Sequence, residues 1–344
     1  MFVGVKGNRA VRFLSGAMLL QLIACGAPTG SDEVEPVPVQ LVPYRLDQLL
    51  FHAPADSLAA ASLRAYADLG DFHRIYVEQV LQAAPLDDPR LSMALMHFTR
   101  DPDWSAAQAA ADSLFGDMAS ERAAFGSAFG RLKALFPDSL VPRVVIFNAG
   151  YNYGIFPTDS VLGVGIEWFI GADHPVVGLL APEAFPNYVK RRMVPDMLVP
   201  AAMKGWLMVH YLRDATGEDL LTQLVEVGKV MALLDAVLPE ADPALKLAFT
   251  AEQLAWCEAN EFNIWRTLVS DGHLFSKDPQ RIATWLNDGP FTSGLPRESP
   301  GHIGEWIGLR MVQAYLNAHP GTRLPDLFPG PDARTILKAY KPRD

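Results

Sequence analysis

The sequence predicts an α+β fold, a predominantly helical single domain with a small central β-sheet. Three observations carry this. Apolar residues recur near a period of 3.6 over most of the chain. That period gives way to two short β-rich runs, 143–147 and 161–166, separated by a Gly/Asn/Tyr/Pro segment. No internal repeat and no second linker divides residues 43–344, so both element types belong to one domain.

The first helix is expected over 57–83. There Leu58, Ala61, Tyr66, Leu69, Phe72, Tyr76 and Val80 share a stripe, with Pro54 and Asp56 before it and Pro85 after it. A short helix follows at 91–98. Asp103-Trp104-Ser105 opens the next, which runs to about residue 115. Another spans 120–136, with Glu121 early and Arg131 and Lys133 late, as the helix dipole favours, and Pro137 closes it. The two β-rich runs then read as two strands of a small sheet joined by a loop. Helices return at about 199–213, 217–234, 243–269, 279–287 and 302–318. Asp242-Pro243 and Asp271-Gly272 bracket the third of these.

Apolar residues make up 50 % of the 344, enough to bury a core and too many for a disordered chain. The net charge of −10 has the wrong sign for a nucleic-acid binder, whose affinity comes from neutralising phosphates. The two cysteines, Cys25 and Cys257, exclude a disulfide-stapled class.

The N-terminus reads as an address. Lys6, Arg9 and Arg12 precede a mostly apolar run over 13–24, about signal-peptide length and short of the roughly 20 residues a membrane-spanning helix needs. The run ends Leu22-Ile23-Ala24-Cys25-Gly26, which resembles a bacterial lipobox. Signal peptidase II would cut before Cys25, whose thiol would carry the lipid. Residues 1–24 are then a lipoprotein signal peptide and 25–42, rich in Gly, Pro and acidic residues, a flexible tether. The globular domain is 43–344. Gly26 stands at the position after the cysteine where an inner-membrane retention signal places Asp, so the outer membrane is expected. Cys257 has no partner left in the chain and lies in an apolar helical context, as a buried inert thiol does.

The body offers few chemical motifs. None of the eight histidines lies three to five residues from another, so a His-Glu-x-x-His zinc site is missing. No Gly-x-Ser-x-Gly elbow or P-loop occurs, and Gly163-Val164-Gly165 lacks the third glycine of a dinucleotide site. No catalytic residue, metal ligand or cofactor is therefore assigned. Three weaker constellations remain. Ser299, His302 and Glu305 stand at i, i+3 and i+6, where a helix-entry turn is the simpler reading than a triad. Asp173-His174 sits in a turn. In 256–265, Trp256, Asn260 and Asn263 would share one helix face, and Glu258, Glu261 and Trp265 another. Lys229 and Arg266 are candidate partners for the carboxylates there if these are buried.

An ordered series of motifs adds a family. Gly171-Ala-Asp-His174 is followed by Phe185-Pro-Asn-Tyr188, Lys190-Arg-Arg and Met193-Val-Pro-Asp196. Gly228-Lys229 and Leu234-Asp235 come next, then Thr250-x-x-Gln253-x-x-Trp256, Asn260-Glu261 and Ile264-Trp265. Gly289-Pro-Phe-Thr292 and Ser299-Pro-Gly301-x-x-Gly304-x-Trp306-Ile-Gly308 close the series. In this order, over about 135–330, the chain resembles the gliding motility lipoprotein GldB family. The resemblance implies a lipid-anchored envelope protein of the gliding machinery, associated with type IX secretion, whose partners are the membrane, through an N-terminal lipid (diacylglycerol or palmitate), and other envelope proteins. The family is also distantly similar to zincin-like metalloproteases, which implies a degenerate zincin-like scaffold. Val227-Gly228-Lys229 stands where such enzymes place a metal-binding Glu-Gly, and 201–212 holds His210 and no Glu. Glu167 departs from the family pattern, where Asp follows the strand.

Three readings follow. The first is a non-catalytic assembly or binding component, with Asp173, His174, Lys229, Trp256, Asn260, Glu261, Trp265, Thr292, Ser299 and Trp306 as candidate binding or structural residues. The second is a metal-dependent peptidase with scattered ligands, His174, His210 and Glu226. The third is a carbohydrate- or peptide-binding module on Trp256, Trp265 and Glu261.

Overall fold

The computed structural model describes residues 34–270 and 272–343. The expected signal peptide and Cys25 lie outside the described residues. Described in chain order are β1 (Tyr44–Arg45), α1 (Leu46–Phe51), α2 (Leu58–Leu69), α3 (Asp71–Ile75), α4 (Leu91–Thr99), α5 (Pro102–Phe115) and α6 (Ala119–Leu135). The strands β2 (Arg143–Phe147), β3 (Ile155–Pro157) and β4 (Val161–Gly165) follow, then α7 (Pro175–Leu179), α8 (Asn187–Lys190), α9 (Leu198–Tyr211) and α10 (Leu220–Val237). The chain finishes with α11 (Pro243–Leu247), α12 (Ala251–Ala259), α13 (Glu261–Ser270), α14 (Pro279–Leu286), α15 (Gly304–Ala318) and α16 (Ala333–Ala339). The α+β, mainly helical class holds.

The sheet has four strands in the order β1-β2-β4-β3. The two predicted strands are neighbours and run parallel, Val145 opposite Gly163. Parallel strands need a crossing connection. Here it contains β3, which turns back antiparallel onto β4 with Phe156 opposite Gly163. β3 escaped the sequence reading because it is a three-residue edge strand ending in Pro157. β1, two residues parallel to β2, is too short to show a period.

Successive side chains of β2 point to opposite faces. Val144 and Ile146 enter a large cluster with α6, α9, α10 and α15; Val145 and Phe147 enter a smaller one with α1 to α4. The sheet thus divides two cores.

Two predicted helices are broken. In 57–83, Gly70 takes φ +55, which ends α2; α3 and a π-helical turn over Tyr76–Val80 continue the run on a new axis. In 243–269, Ala248 takes φ +56 and the chain restarts at Thr250. The Thr250 hydroxyl accepts from the Gln253 N–H, and the Gln253 side chain accepts from the Thr250 N–H, a reciprocal capping box. A further break falls at Asn260, whose amide donates to the Trp256 carbonyl at 2.8 Å. The two mixed faces expected along 256–265 are therefore not continuous.

Residues 34–42, expected to belong to the tether, lie on the domain. The Val37 N–H donates to the Gly130 carbonyl, Arg131 Nε donates to the Val34 carbonyl, and Leu41 is buried.

α10 and α15 cross with their backbones in contact. A Cβ on Gly228 would overlap Gly308, and one on Gly308 would overlap the Leu224 carbonyl. Only glycine permits this approach. It explains why both glycines belong to the motif series. Gly301 is pressed against the backbone of Gly289 in the same way, joining two further elements of that series.

Candidate functional site

Five elements bring a belt of polar side chains to one cavity. Asp235 and Gln313 extend from α10 and α15, Lys246 from α11, Glu261 from the first turn of α13 and Arg310 from α15; Tyr340 follows α16. Lys246 Nζ lies 2.7 Å from Asp235 Oδ1. Gln313 Nε2 donates to Asp235 Oδ2 at 3.4 Å, and Gln313 Oε1 accepts from Arg310 Nη1 at 3.0 Å. Arg310 Nη2 donates to Glu261 Oε2 at 3.3 Å, and the Tyr340 hydroxyl donates to Glu261 Oε1 at 2.9 Å. Glu261 is 2 % exposed, so both its oxygens are used by neighbours within the fold. Burial, with Glu261 beside it, pushes the Tyr340 hydroxyl well above the usual phenol range.

The cavity encloses about 240 Å³ beside Glu258, Glu261, Trp306, Lys246 and Arg310, with Leu247, Leu254 and Leu309 as its apolar walls. Trp265 packs edge-on against Tyr340 at 5.2 Å between ring centroids. Of the predicted residues, Glu261 and Trp306 thus meet at the cavity, and Trp265 joins them through Tyr340. Trp256 is half-buried against the core. The indole pair foreseen for Trp256 and Trp265 is replaced by this arrangement, because Asn260 breaks the helix between them.

The other predicted residues hold loops and helix ends. His174 caps α7, its Nδ1 accepting from the Val176 N–H at 3.4 Å, and Asp173 beside it is exposed. Lys229 is buried and bonds Glu226 at 2.9 Å, with Arg213 Nε 3.5 Å from the same carboxylate. Lys229 therefore serves Glu226, not Glu261, and Arg266 is exposed. The Thr292 N–H donates to Ser299 Oγ, and Thr292 Oγ1 donates to the Pro300 carbonyl at 2.8 Å.

The conceivable triad does not assemble. Ser299 serves Thr292, and Glu305 pairs with Lys204. His302, at φ +41, sets Nδ1 3.1 Å from Asp288 and donates from Nε2 to the Leu247 carbonyl at 2.9 Å. Burial would raise the Asp288 carboxyl, but hydrogen bonds from His302 and Arg192 outweigh it and hold the group well below the usual carboxylate range. The scattered ligand set does not gather either. His210 is exposed and stacked on Trp206, 3.7 Å between centroids, while Glu226 is engaged by Lys229 and His174 by its helix cap. Among the described residues, no three His, Cys, Asp or Glu side chains form a group able to hold a metal ion. Cys257 is buried, which pushes its thiol far up.

In a second polar centre only Glu167 stands out in the sequence, as the carboxylate that follows a strand; its partners do not. It lies at the carboxyl ends of the three parallel strands, where Asp47 follows β1, Asn148 follows β2 and Glu167 follows β4; all three are fully buried. Asp47 is held by Arg45 at 2.7 Å and by Gln108 at 2.9 Å. Asn148 Nδ2 donates to Gln108, and the Tyr76 hydroxyl donates to the Asn148 carbonyl at 2.6 Å. Glu167 Oε1 accepts from the N–H groups of Ala149 and Tyr151 at 2.9 and 3.0 Å, while Oε2 has no partner among the described residues. Gly150 and Tyr151 are both left-handed, so Glu167 braces a strained turn. Burial raises its pKa to about 7, against the pull of those two N–H groups. Besides the family position of Glu167, the signal for this centre is a polar residue after each parallel strand, and β1, two residues long, shows no period.

Comparison with known families matches residues 29–342 to the family described as Gliding motility protein GldB. Comparisons with curated proteins and with solved structures give no match.

Proposed function

The chain belongs to the GldB gliding motility lipoprotein family, and on that premise we propose that it is a non-catalytic, lipid-anchored component of the gliding machinery in the outer membrane. The family match over 29–342 carries this reading. Among the described residues no helix is long and apolar enough to cross a membrane; in this reading a lipid on Cys25 provides the attachment. The groups with catalytic potential support the assembly role. Ser299, His302 and Glu305 each hold a different neighbour, and the buried Glu226, Glu261 and Lys229 are paired within the fold. Its partners are other envelope proteins, including those of type IX secretion. The test is Cys25→Ser in a deletion strain. The variant leaves the membrane fraction and does not restore gliding. Full restoration by a soluble variant would overturn the anchoring role.

The 240 Å³ cavity favours a second reading, in which it takes a small polar segment of a peptide or a sugar against the Lys246–Asp235–Gln313–Arg310–Glu261 belt. Titration of Trp fluorescence with cell-wall fragments gives a saturable change; a flat titration rejects it.

A further inference from the structure

The first described residues make a set of contacts that a free tether would not make. From Leu41 back to Val34 the chain runs along α6. Glycines at i and i+4 open a groove on that helix: a Cβ on Gly126 would crowd the Val39 carbonyl, and one on Gly130 would overlap the Val37 carbonyl and press on Pro36. The Val37 N–H donates to the Gly130 carbonyl at 3.3 Å. Arg131, 5 % exposed, closes the end. Its Nε donates to the Val34 carbonyl at 3.1 Å, and its outer nitrogens reach Glu240 and the Val237 carbonyl at the end of α10. Beyond Leu41 the chain enters β1, so this run is tied to the core at both ends.

We propose that residues 34–42 are a strap clipped into the Gly126/Gly130 groove, and that the clip turns the Arg131–Glu240 end of the domain toward the lipid surface. This rests on the lipid anchor at Cys25. Eight residues lie between Cys25 and Val34, so the two are at most roughly 30 Å apart. A strap free as far as Val42 would about double that reach and remove any fixed orientation. The end so oriented carries a groove of about 610 Å³ between α6 and α9, bordered by Glu121, Asp196, Arg131 and Glu240. Its acidic border does not adsorb to anionic headgroups, so the strap, not charge, sets the pose. Helix α11 lies between this groove, at Leu245, and the polar cavity, at Lys246. The cavity is therefore about one helix diameter, ~10 Å, from the membrane-facing end, and its partner is met close to the membrane.

The test uses the full lipidated chain and Gly130→Ala. Alanine is a better helix former than glycine, so this change leaves α6 folded while its Cβ evicts the strap. Arg131→Gln is the second variant, releasing Val34 without filling the groove. Hydrogen exchange of the Val37 N–H, which donates to the Gly130 carbonyl, is expected to be slow in the parent and at least about tenfold faster in Gly130→Ala, with α6 unchanged. On phosphatidylethanolamine/phosphatidylglycerol vesicles, energy transfer from a dye at Ala123→Cys to a headgroup acceptor is expected to fall in both variants. Unprotected exchange of the Val37 N–H in the parent overturns the strap. Equal transfer in parent and variants overturns the orientation. Detergent-phase partitioning reports the lipid separately, and its absence would reject the anchor while the exchange result still judges the strap.

Discussion

The crossing of α10 and α15 and the carboxyl end of the sheet both bury polar groups, and they treat them differently. Around the crossing each buried charge has an opposite one beside it: Glu226 with Lys229, Glu261 with Arg310, Lys246 with Asp235. At the sheet end, Arg45 serves Asp47, whereas Glu167 is held by neutral N–H groups and His73 by the Ser62 hydroxyl at 2.9 Å. The pKa values follow. Burial raises Glu167 to about 7 and lowers His73 to about 4. Pairing makes a region sensitive to losing a partner; burial without a counter-charge makes it sensitive to pH.

The largest expected effect tests the crossing itself. Gly308→Val puts a side chain where the Leu224 carbonyl lies and should force the helices apart, lowering stability by about 3–5 kcal/mol in urea unfolding. A loss below about 1 kcal/mol would mean the crossing is loosely packed and the contrast between the regions is wrong. Next comes Glu261→Ala, which strips Arg310 and Tyr340 of their shared acceptor. About 3 kcal/mol is expected, and Glu261→Gln, which keeps an acceptor for Tyr340, should lose less. Equal losses from both would show that the carboxylate's charge, not its hydrogen bond to Tyr340, carries the site.

The smallest effect sharpens the other side. Native Glu167 keeps its proton up to about pH 7, while the unfolded carboxyl, at 4.5, has released it. The stability due to protonated Glu167 is thus full below 4.5 and is lost as pH rises through about 7. His73 acts in the opposite sense, since its unfolded imidazole binds a proton below 6.5 that the native one refuses until about 4. Above 6.5 the Glu167 contribution stands alone. Thermal unfolding of the parent should weaken from pH 6.5 to about 8, and Glu167→Gln should flatten that decline. The same decline in both proteins would place its origin elsewhere. The groups facing Glu167 are Asp47, Tyr76 and Tyr151, so the decline is read from that centre alone.

Much of the site was legible as residue type and little as geometry. Glu261, Trp265 and Trp306 stood out for their chemistry, and they do gather around one cavity. The partners of Glu261, Arg310 and Tyr340, lie 49 and 79 residues away, a separation no local pattern encodes. Thr292, Ser299 and Asn260 stood out equally, yet they tie loop and helix ends, because a hydroxyl or amide near a turn can serve a neighbouring backbone group as readily as a ligand. The Thr250–Gln253 spacing belongs to the motif series, and its capping-box pattern marks a helix start inside the single helix expected over 243–269.

By itself the sequence determined the helical class, the two main strands, the family and the expected lipid address. These depend on local periodicity, propensity and ordered motifs, which act over a few residues at a time. The tertiary structure alone decided that the two strands run parallel, with β1 and β3 at the edges. It also placed Gly228 against Gly308, laid residues 34–42 in the α6 groove, and left Glu167 buried among N–H groups without a counter-charge. Each of these is a contact between distant segments, fixed by which surfaces exclude water together and which backbones can touch.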